Sequence, residues 1–303
     1  MNVIFMGTPD YAQKILQRLL DTLDINVSAV YTQPDKPVGR KKVMTPPPVK
    51  LLAESYKLPV YQPTRLRDEE TVKELRHIAC DYIVVAAYGQ ILPKEILEYA
   101  PCINLHASIL PQYRGASPIQ QTLLNGDRQT GVTAMLMDEG LDTGDILKIK
   151  TIDVGDDEMV ESLFERLTDV AADLTVDVLE NFAALKPKKQ DESLATHCKK
   201  ITKADGEVSF DDAQTLYNKY RAFIPWPGVY LSSGLKLKKI TLEESEKEHK
   251  EAGKIIEVDK ESIVVSCKRG SIRVFRVQPN SKKEMDITAY INGKRIGLED
   301  TLS

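Results

Sequence analysis

Tyr82-Ile83-Val84-Val85-Ala86-Ala87 is a continuous apolar run, broken only by one phenol, with neither the length nor the polar stripe of a surface helix. Runs of this kind suit a strand covered by helices on both faces of a sheet. The amino-terminal residues supply the unit that builds such a sheet. Val3-Ile4-Phe5-Met6 reads as a short buried strand, and Gly7-Thr8-Pro9-Asp10 as a turn. Asp10 is placed to cap a helix running to about Leu23, in which Ile15, Leu16, Leu19 and Leu20 recur at helical spacing. Val27–Tyr31 is the next strand. A β-α-β opening predicts a parallel sheet with a right-handed crossover. Further on, the pattern predicts a helix around Leu51–Tyr56, a short strand near Val60 and a helix over Asp68–Ile78. It then predicts strands at Cys102–His106, Val132–Met137 and Asp145–Asp153, the last two paired, and a long amphipathic helix from about Glu158 to Phe182.

The texture changes after that helix. Lys186–Lys203 is polar, punctuated by Pro187, and reads as an interdomain linker. Trp226, between two prolines, reads as an interdomain packing anchor rather than a base-stacking platform. From Gly228 onward, short alternating runs (Val229–Leu231, Leu235–Ile240, Lys254–Val258, Ser262–Cys267, Ile272–Val277) predict a small antiparallel β-barrel. Between them, Glu243–Glu251 mixes acids with lysines and reads as a solvated turn or helix face. The expected fold class is therefore α/β: a Rossmann-like parallel-sheet domain over residues 1–185, a linker over 186–202, and a smaller OB-like β-barrel domain over 203–303. A chain of 303 residues suits two domains of ordinary size.

Bulk properties narrow the function classes. The formal net charge of −4 does not advertise a nucleic-acid partner, so any RNA contact must come from local basic segments. Val3–Met6 is too short for a signal-peptide core, and no stretch approaches the ~20 apolar residues that span a bilayer. A cytoplasmic location without membrane attachment is the expectation. Cys80, Cys102, Cys198 and Cys267 are scattered without metal-ligand spacing, so no metal site is expected and the thiols read as apolar filler.

The densest polar cluster is Asn104-Leu105-His106-Ala107-Ser108-Ile109-Leu110-Pro111-Gln112-Tyr113-Arg114-Gly115-Ala116-Ser117-Pro118. On a strand over Cys102–His106, period-two alternation sends Asn104 and His106 to one side. That places an amide and an imidazole at the carboxyl end of a parallel strand, where open α/β sheets bind ligands. A second cluster, Met137-Asp138-Glu139-Gly140-Leu141-Asp142-Thr143-Gly144-Asp145, marks a turn between strands and offers Asp142 to orient an imidazole or take up a proton. An amide donor, an imidazole and a carboxylate are parts that acyl transfer to an amine requires: an oxyanion donor and a route for a proton.

These two clusters, in this order, resemble the signature of the folate-dependent formyltransferases, whose acceptors include glycinamide ribonucleotide, nucleotide amino sugars and methionyl-tRNA. The resemblance implies that Asn104, His106 and Asp142 are the catalytic trio, with their division of proton transfer open. It also implies that Ser108, Ile109, Leu110 and Pro111 line the pocket of 10-formyltetrahydrofolate, the formyl donor and co-substrate. Three further stretches resemble the branch acting on methionyl-initiator tRNA: Met6–Tyr11, Thr32–Lys42 and Arg221–Pro227. The likeness runs from Asn2 to Ile296 and implies a monomer. Lys36, Arg40, Lys41 and Lys42 are four cations within seven positions, held among Pro34, Pro37, Gly39 and Pro46–Pro48. Such a loop has no core to bury but can reach phosphates, so these four are the expected tRNA contacts. The alternative acceptor is a nucleotide amino sugar, for which the basic insert has no evident use.

Overall fold

The computed structural model describes residues 1–39 and 41–302. Arg40, one of the four expected tRNA contacts, lies outside the described residues. The chain forms two compact units. The first comprises Met1–Pro118, Gln129–Val154 and Leu163–Cys198, and the second comprises Ile119–Arg128, Gly155–Ser162 and the chain from Lys199 onward.

In the first unit, β1 (Asn2–Gly7), α1 (Asp10–Leu20) and β2 (Asn26–Tyr31) form the expected β-α-β opening. A small hairpin follows, β3 (Lys36–Val38) against β4 (Val43–Thr45), then α2 (Pro48–Ser55), β5 (Val60–Tyr61), α3 (Glu69–Arg76), β6 (Tyr82–Ala86), α4 (Lys94–Leu97) and β7 (Cys102–His106). After β8 (Arg114–Gly115) and α5 (Pro118–Asn125), which belongs to the second unit from Ile119 on, β9 (Gln129–Leu136) and β10 (Ile146–Asp153) complete a seven-stranded sheet in the order β10-β9-β7-β6-β1-β2-β5. The five strands from β7 to β5 pair in parallel, whereas β9 runs antiparallel to both β7 and β10. The long helix α6 (Val160–Asn181) and the short strand β11 (His197–Cys198), parallel to β8, follow.

Every residue of β6 from Ile83 to Ala86 is buried, and so is every residue of β1 from Val3 onward. Both faces of these central strands are therefore covered, as an unalternating apolar run requires. One face packs Ile4, Met6, Ala29, Tyr31, Ile83 and Val85 against Leu66, Leu75, Leu92 and Ile96. Ile83→Val, which deletes one methylene group from this layer, is expected to cost about 0.5–1.5 kcal/mol, read by chemical denaturation with an unchanged m-value.

The order in which strands are added to the sheet reverses at β1: β2 and β5 lie to one side, β6 and β7 to the other. Ligands of open α/β sheets bind at the carboxyl ends of strands beside such a switch point. There Thr8 Oγ1 and Gln33 Nε2 both donate to the carbonyl of Tyr88, at 3.1 and 3.2 Å, holding the loops after β1, β2 and β6 together.

The second unit carries α7 (Ala213–Phe223), strands β12 (Val229–Tyr230), β13 (Lys236–Glu248), β14 (Ile255–Val258), β15 (Ile263–Ser266), β16 (Arg269–Gln278) and β17 (Met285–Asp286), then α8 (Ile287–Lys294). Its strands pair antiparallel in the order β12-β13-β16-β15-β14, with β17 also on β16, as the alternating runs predict. The earlier pieces of the chain join this unit through polar bonds. Tyr217 Oη donates to Asp157 at 2.9 Å, and buried Arg221 donates to Asn218 Oδ1 at 2.7 Å and, at longer range, to the carbonyls of Gly155 and Glu158.

Several local expectations need correction. Asp10 opens α1 but makes no capping bond; Pro9 stands at the cap. Glu243–Glu248 continues β13 as a strand rather than turning, because β16 supplies a partner: Arg273 binds Glu243, Glu257 and Asp259, and Arg269 binds Glu246, so charge pairs across strands replace apolar alternation. Helix α7 escapes the periodicity reading, although Asp212 caps it by accepting from the Thr215 amide at 2.7 Å. Trp226, at 61% exposed, is not part of the second unit's own core.

Candidate active site

Asn104 and His106 stand on β7, whose register against β9 pairs Asn104 with Met135 and His106 with Thr133. Alternation along the strand sends both side chains to the same side, and Asp142 comes to meet them from the β9–β10 connection. Asn104 Nδ2 donates to Asp142 Oδ1 at 3.3 Å, and His106 Nδ1 lies 3.6 Å from Asp142 Oδ2. The three side chains predicted from two distant stretches share one place.

The imidazole is oriented by its other nitrogen. His106 Nε2 lies 2.9 Å from the carbonyl oxygen of Tyr113, which can only accept, so Nε2 carries a proton and Nδ1 is the atom turned to the carboxylate. The ring is nearly enclosed, with 7% of its side chain exposed against 11% for Asp142. Asp142 Oδ2 also accepts the backbone N–H of Gly115 at 2.9 Å. The second N–H of the Asn104 amide has no partner among the described residues. An acceptor-only carboxylate, an oriented imidazole and an open amide donor are thus held within a few ångströms of one another.

Backbone geometry brings these groups together. Asp142 has φ of +56°, a left-handed conformation that Asp tolerates better than most side chains. At Gly144 a Cβ would stand 1.7 Å from the carbonyl oxygen of Leu136, so the loop can fold back on β9 only with glycine there. At Gly115, with φ of +117°, a Cβ would stand 2.4 Å from the Cys198 carbonyl, and β8 could not lie against β11.

Residues 186–198, within the expected linker, are tied to the site along most of their length. Lys188 bridges Ile146, Thr196 accepts the Tyr113 and Arg114 amides, and Cys198 accepts the Ala116 amide. Gln190 Nε2 donates to the carbonyls of Asp142 at 2.9 Å and Gly144 at 2.8 Å. Its Oε1 accepts from Nε and Nη2 of Arg114, whose guanidinium also clasps Glu192 through two bonds of 2.8 and 2.7 Å. Arg114 is 2% exposed; its bonds to Glu192 raise its pKa and hold the Glu192 carboxyl below the usual carboxylate range. Nothing in the residue types of 186–198 announced these contacts, since no periodicity or motif marks a segment that pairs through isolated backbone bonds.

The stretch expected to line the folate pocket follows β7 directly. Ser108 is buried and its hydroxyl donates to the Gln112 carbonyl at 2.6 Å, while Thr133 Oγ1 donates to the Ser108 carbonyl and accepts the Leu110 amide. Leu110 is buried, and Ile109 and Pro111 are partly exposed. Ser108 and Leu110 therefore shape the loop from within. Cys102, at the start of β7, is buried with its thiol pushed up to about 12, which keeps it protonated and removes it from nucleophilic chemistry at neutral pH. Among the described residues no cluster of His, Cys, Asp and Glu is placed to hold a metal, and no helix is long and apolar enough to cross a membrane.

Lys36, Lys41 and Lys42 are exposed on and between the strands of the β3–β4 hairpin. Its root is fixed by Asp35, which accepts Gln62 Nε2 at 2.8 Å and Lys50 Nζ at 2.9 Å; these bonds hold the Asp35 carboxyl below its usual range.

A family model described as formyl transferase matches residues 1–179, and one described as formyl transferase, C-terminal domain, matches residues 200–295. The chain belongs to the formyl transferase family. Among its relatives, the methionyl-tRNA formyltransferase of Sulfurimonas denitrificans is 68% identical over 303 residues, covering 100% of both chains. That of Nitratiruptor is 56% identical, covering 99% of both. The N-formyltransferase of Helicobacter canadensis, solved with folinic acid and dTDP-3-aminofucose, superposes with a TM-score of 0.67 at 18% identity, over 90% of this formyl transferase chain and 98% of its own. At that identity the likeness speaks for the fold.

Proposed function

We propose that this chain transfers the formyl group of 10-formyltetrahydrofolate to the free amino group of methionyl-initiator tRNA, giving N-formylmethionyl-tRNA for translation initiation. The observation that carries the reading is full-length identity with methionyl-tRNA formyltransferases, 68% in one case, in a chain whose Asn104, His106 and Asp142 side chains converge. In this reading the first unit is catalytic and the second helps hold tRNA, and the enzyme works as a cytoplasmic monomer away from membranes.

The amine nitrogen bonds to the formyl carbon, whose oxygen takes up the electron pair. Asn104 directs its open N–H toward that oxygen. Asp142 accepts the proton that the amine sheds, with His106 Nδ1 beside it; Nε2 is committed to the Tyr113 carbonyl, so His106 relays through Nδ1 alone. The pair on oxygen then re-forms the carbonyl as the bond from carbon to the folate nitrogen breaks; the pair of that bond goes to the nitrogen, which leaves with the proton that Asp142 took up. Ile109 and Pro111 line the folate pocket on a loop that buried Ser108 and Leu110 hold in shape, and Lys36, Arg40, Lys41 and Lys42 contact tRNA phosphates.

Initial rates with labelled formyl donor and three acceptors test this: methionine-charged initiator tRNA, the same tRNA uncharged, and a nucleotide amino sugar. Label is expected on the charged tRNA alone. Formylation of the sugar with no transfer to tRNA would replace the reading by an amino-sugar one. The basic hairpin has its own test. Arg40→Ala, and Lys41→Ala with Lys42→Ala, are expected to raise the KM for tRNA and leave the KM for folate unchanged. Each lost phosphate contact should flatten the slope of log affinity against log salt by about 0.7–0.9. Unchanged tRNA use would remove the hairpin from the interface.

A further inference from the structure

Asp142 is held from two directions, and the second involves a residue the proposed chemistry does not use. Its carboxylate is held by Asn104 and by the Gly115 amide. Its backbone carbonyl, together with that of Gly144, is held by the Gln190 amide. The two holds close into a ring. Gly115 follows Arg114 in the chain, Arg114 grips Gln190 Oε1 with two N–H groups, and Gln190 Nε2 returns to the Asp142 backbone.

Chemistry fixes the direction of every bond in that ring. A guanidinium has only donors, so the atom of Gln190 facing Arg114 must be the oxygen. The amide nitrogen then necessarily faces the loop, and both of its hydrogens are taken by carbonyls. Glu192 binds the far side of the guanidinium through two bonds, which fixes the plane of the fork. Glutamate, leucine and lysine are each unable to do both jobs: glutamate has no donor for the loop, leucine has neither group, and lysine has no acceptor for Arg114. The loop needs such a hold, because Asp142 occupies a left-handed conformation that local preference does not favour.

We infer that Gln190 is a positioning residue for Asp142, oriented by the Arg114–Glu192 pair, so that a segment far along the chain sets the placement of the carboxylate between Asn104 and His106. The inference rests on the proposed formyl transfer, in which Asp142 takes the amine's proton. A carboxylate displaced by about an ångström from its working position loses much of its effect while substrate binding persists.

The test uses the full chain with Gln190→Glu, which keeps an acceptor for Arg114 and removes both donors to the loop. The kcat with charged initiator tRNA is expected to fall at least tenfold, with both KM values within about twofold of the unsubstituted chain. Amide hydrogen exchange at residues 142–144 is expected to quicken while exchange in β1 and β6 stays the same. Glu192→Gln, at a side chain 70% exposed, guards against a folding failure at position 190 and is expected to lower kcat about two- to fivefold with the same split. A kcat within twofold in Gln190→Glu, or a rise in both KM values with faster exchange throughout the sheet, overturns the inference. If the unsubstituted chain transfers no formyl group to tRNA, the proposed function falls, and local exchange at 142–144 still decides whether Gln190 holds the loop.

Discussion

Asp142→Asn is expected to lower kcat for formyl transfer by about 10²–10⁴-fold with the fold intact. The substitution is chosen for the backbone. Asparagine is at home in the left-handed region that Asp142 occupies at φ +56°, whereas alanine there adds strain of about 1–3 kcal/mol and confuses chemistry with folding. The asparagine oxygen can still accept the Gly115 amide, so the loop retains its contact with β8. Three properties are lost. The side chain can no longer take up a proton from the amine, the negative charge that faces His106 Nδ1 disappears, and with its oxygen on Gly115 its NH2 cannot accept from Asn104 Nδ2. These losses fall on the chemical step, so KM values should move little and kcat should carry the effect. Single-turnover rates at saturating folate and tRNA, with circular dichroism to confirm the fold, provide the check. A rate within threefold of the unsubstituted chain would take Asp142 out of the mechanism.

Asn104→Ala is the second large effect, expected at about 3–4 kcal/mol of barrier, or 10²–10³ in kcat. The amide donates one N–H to Asp142 Oδ1 at 3.3 Å and keeps the other for the oxygen on which charge develops. Removing it deletes the oxyanion donor and one of the two holds on the carboxylate at once. Because a donor to the transition state is involved, the effect should fall on kcat, with folate affinity within about threefold by equilibrium binding. Loss confined to binding would mark Asn104 as a substrate contact only.

The sheet was legible in the sequence because strands covered on both faces leave unbroken apolar runs, and Cys102–His106 reads as a strand in sequence and structure alike. The meeting of Asn104 and His106 followed from alternation. Asp142 lay beyond that rule, since nothing local places a turn residue beside a strand 38 positions away; the paired glycines around it were the available signal, and Gly144 proves essential to the approach. The Gln190–Arg114–Glu192 cluster was illegible for a related reason. Residues 186–198 bind through isolated backbone bonds and the polar side chains of Gln190, Glu192 and Thr196, with no periodic apolar face to betray them, so a polar stretch with a proline read as a connector. Strand β13 was misread past Glu243 because its exposed end is held by ion pairs with Arg269 and Arg273 rather than by alternating apolar residues.

A double-mutant cycle on single-turnover formyl transfer, combining Asn104→Ala with Asp142→Asn, addresses the convergence of the trio most directly. Groups that act on one transition state through a shared contact are not additive. The double variant is predicted to be about as slow as the slower single one. Multiplication of the two single effects would mean that the amide and the carboxylate work independently, and would contradict a common site.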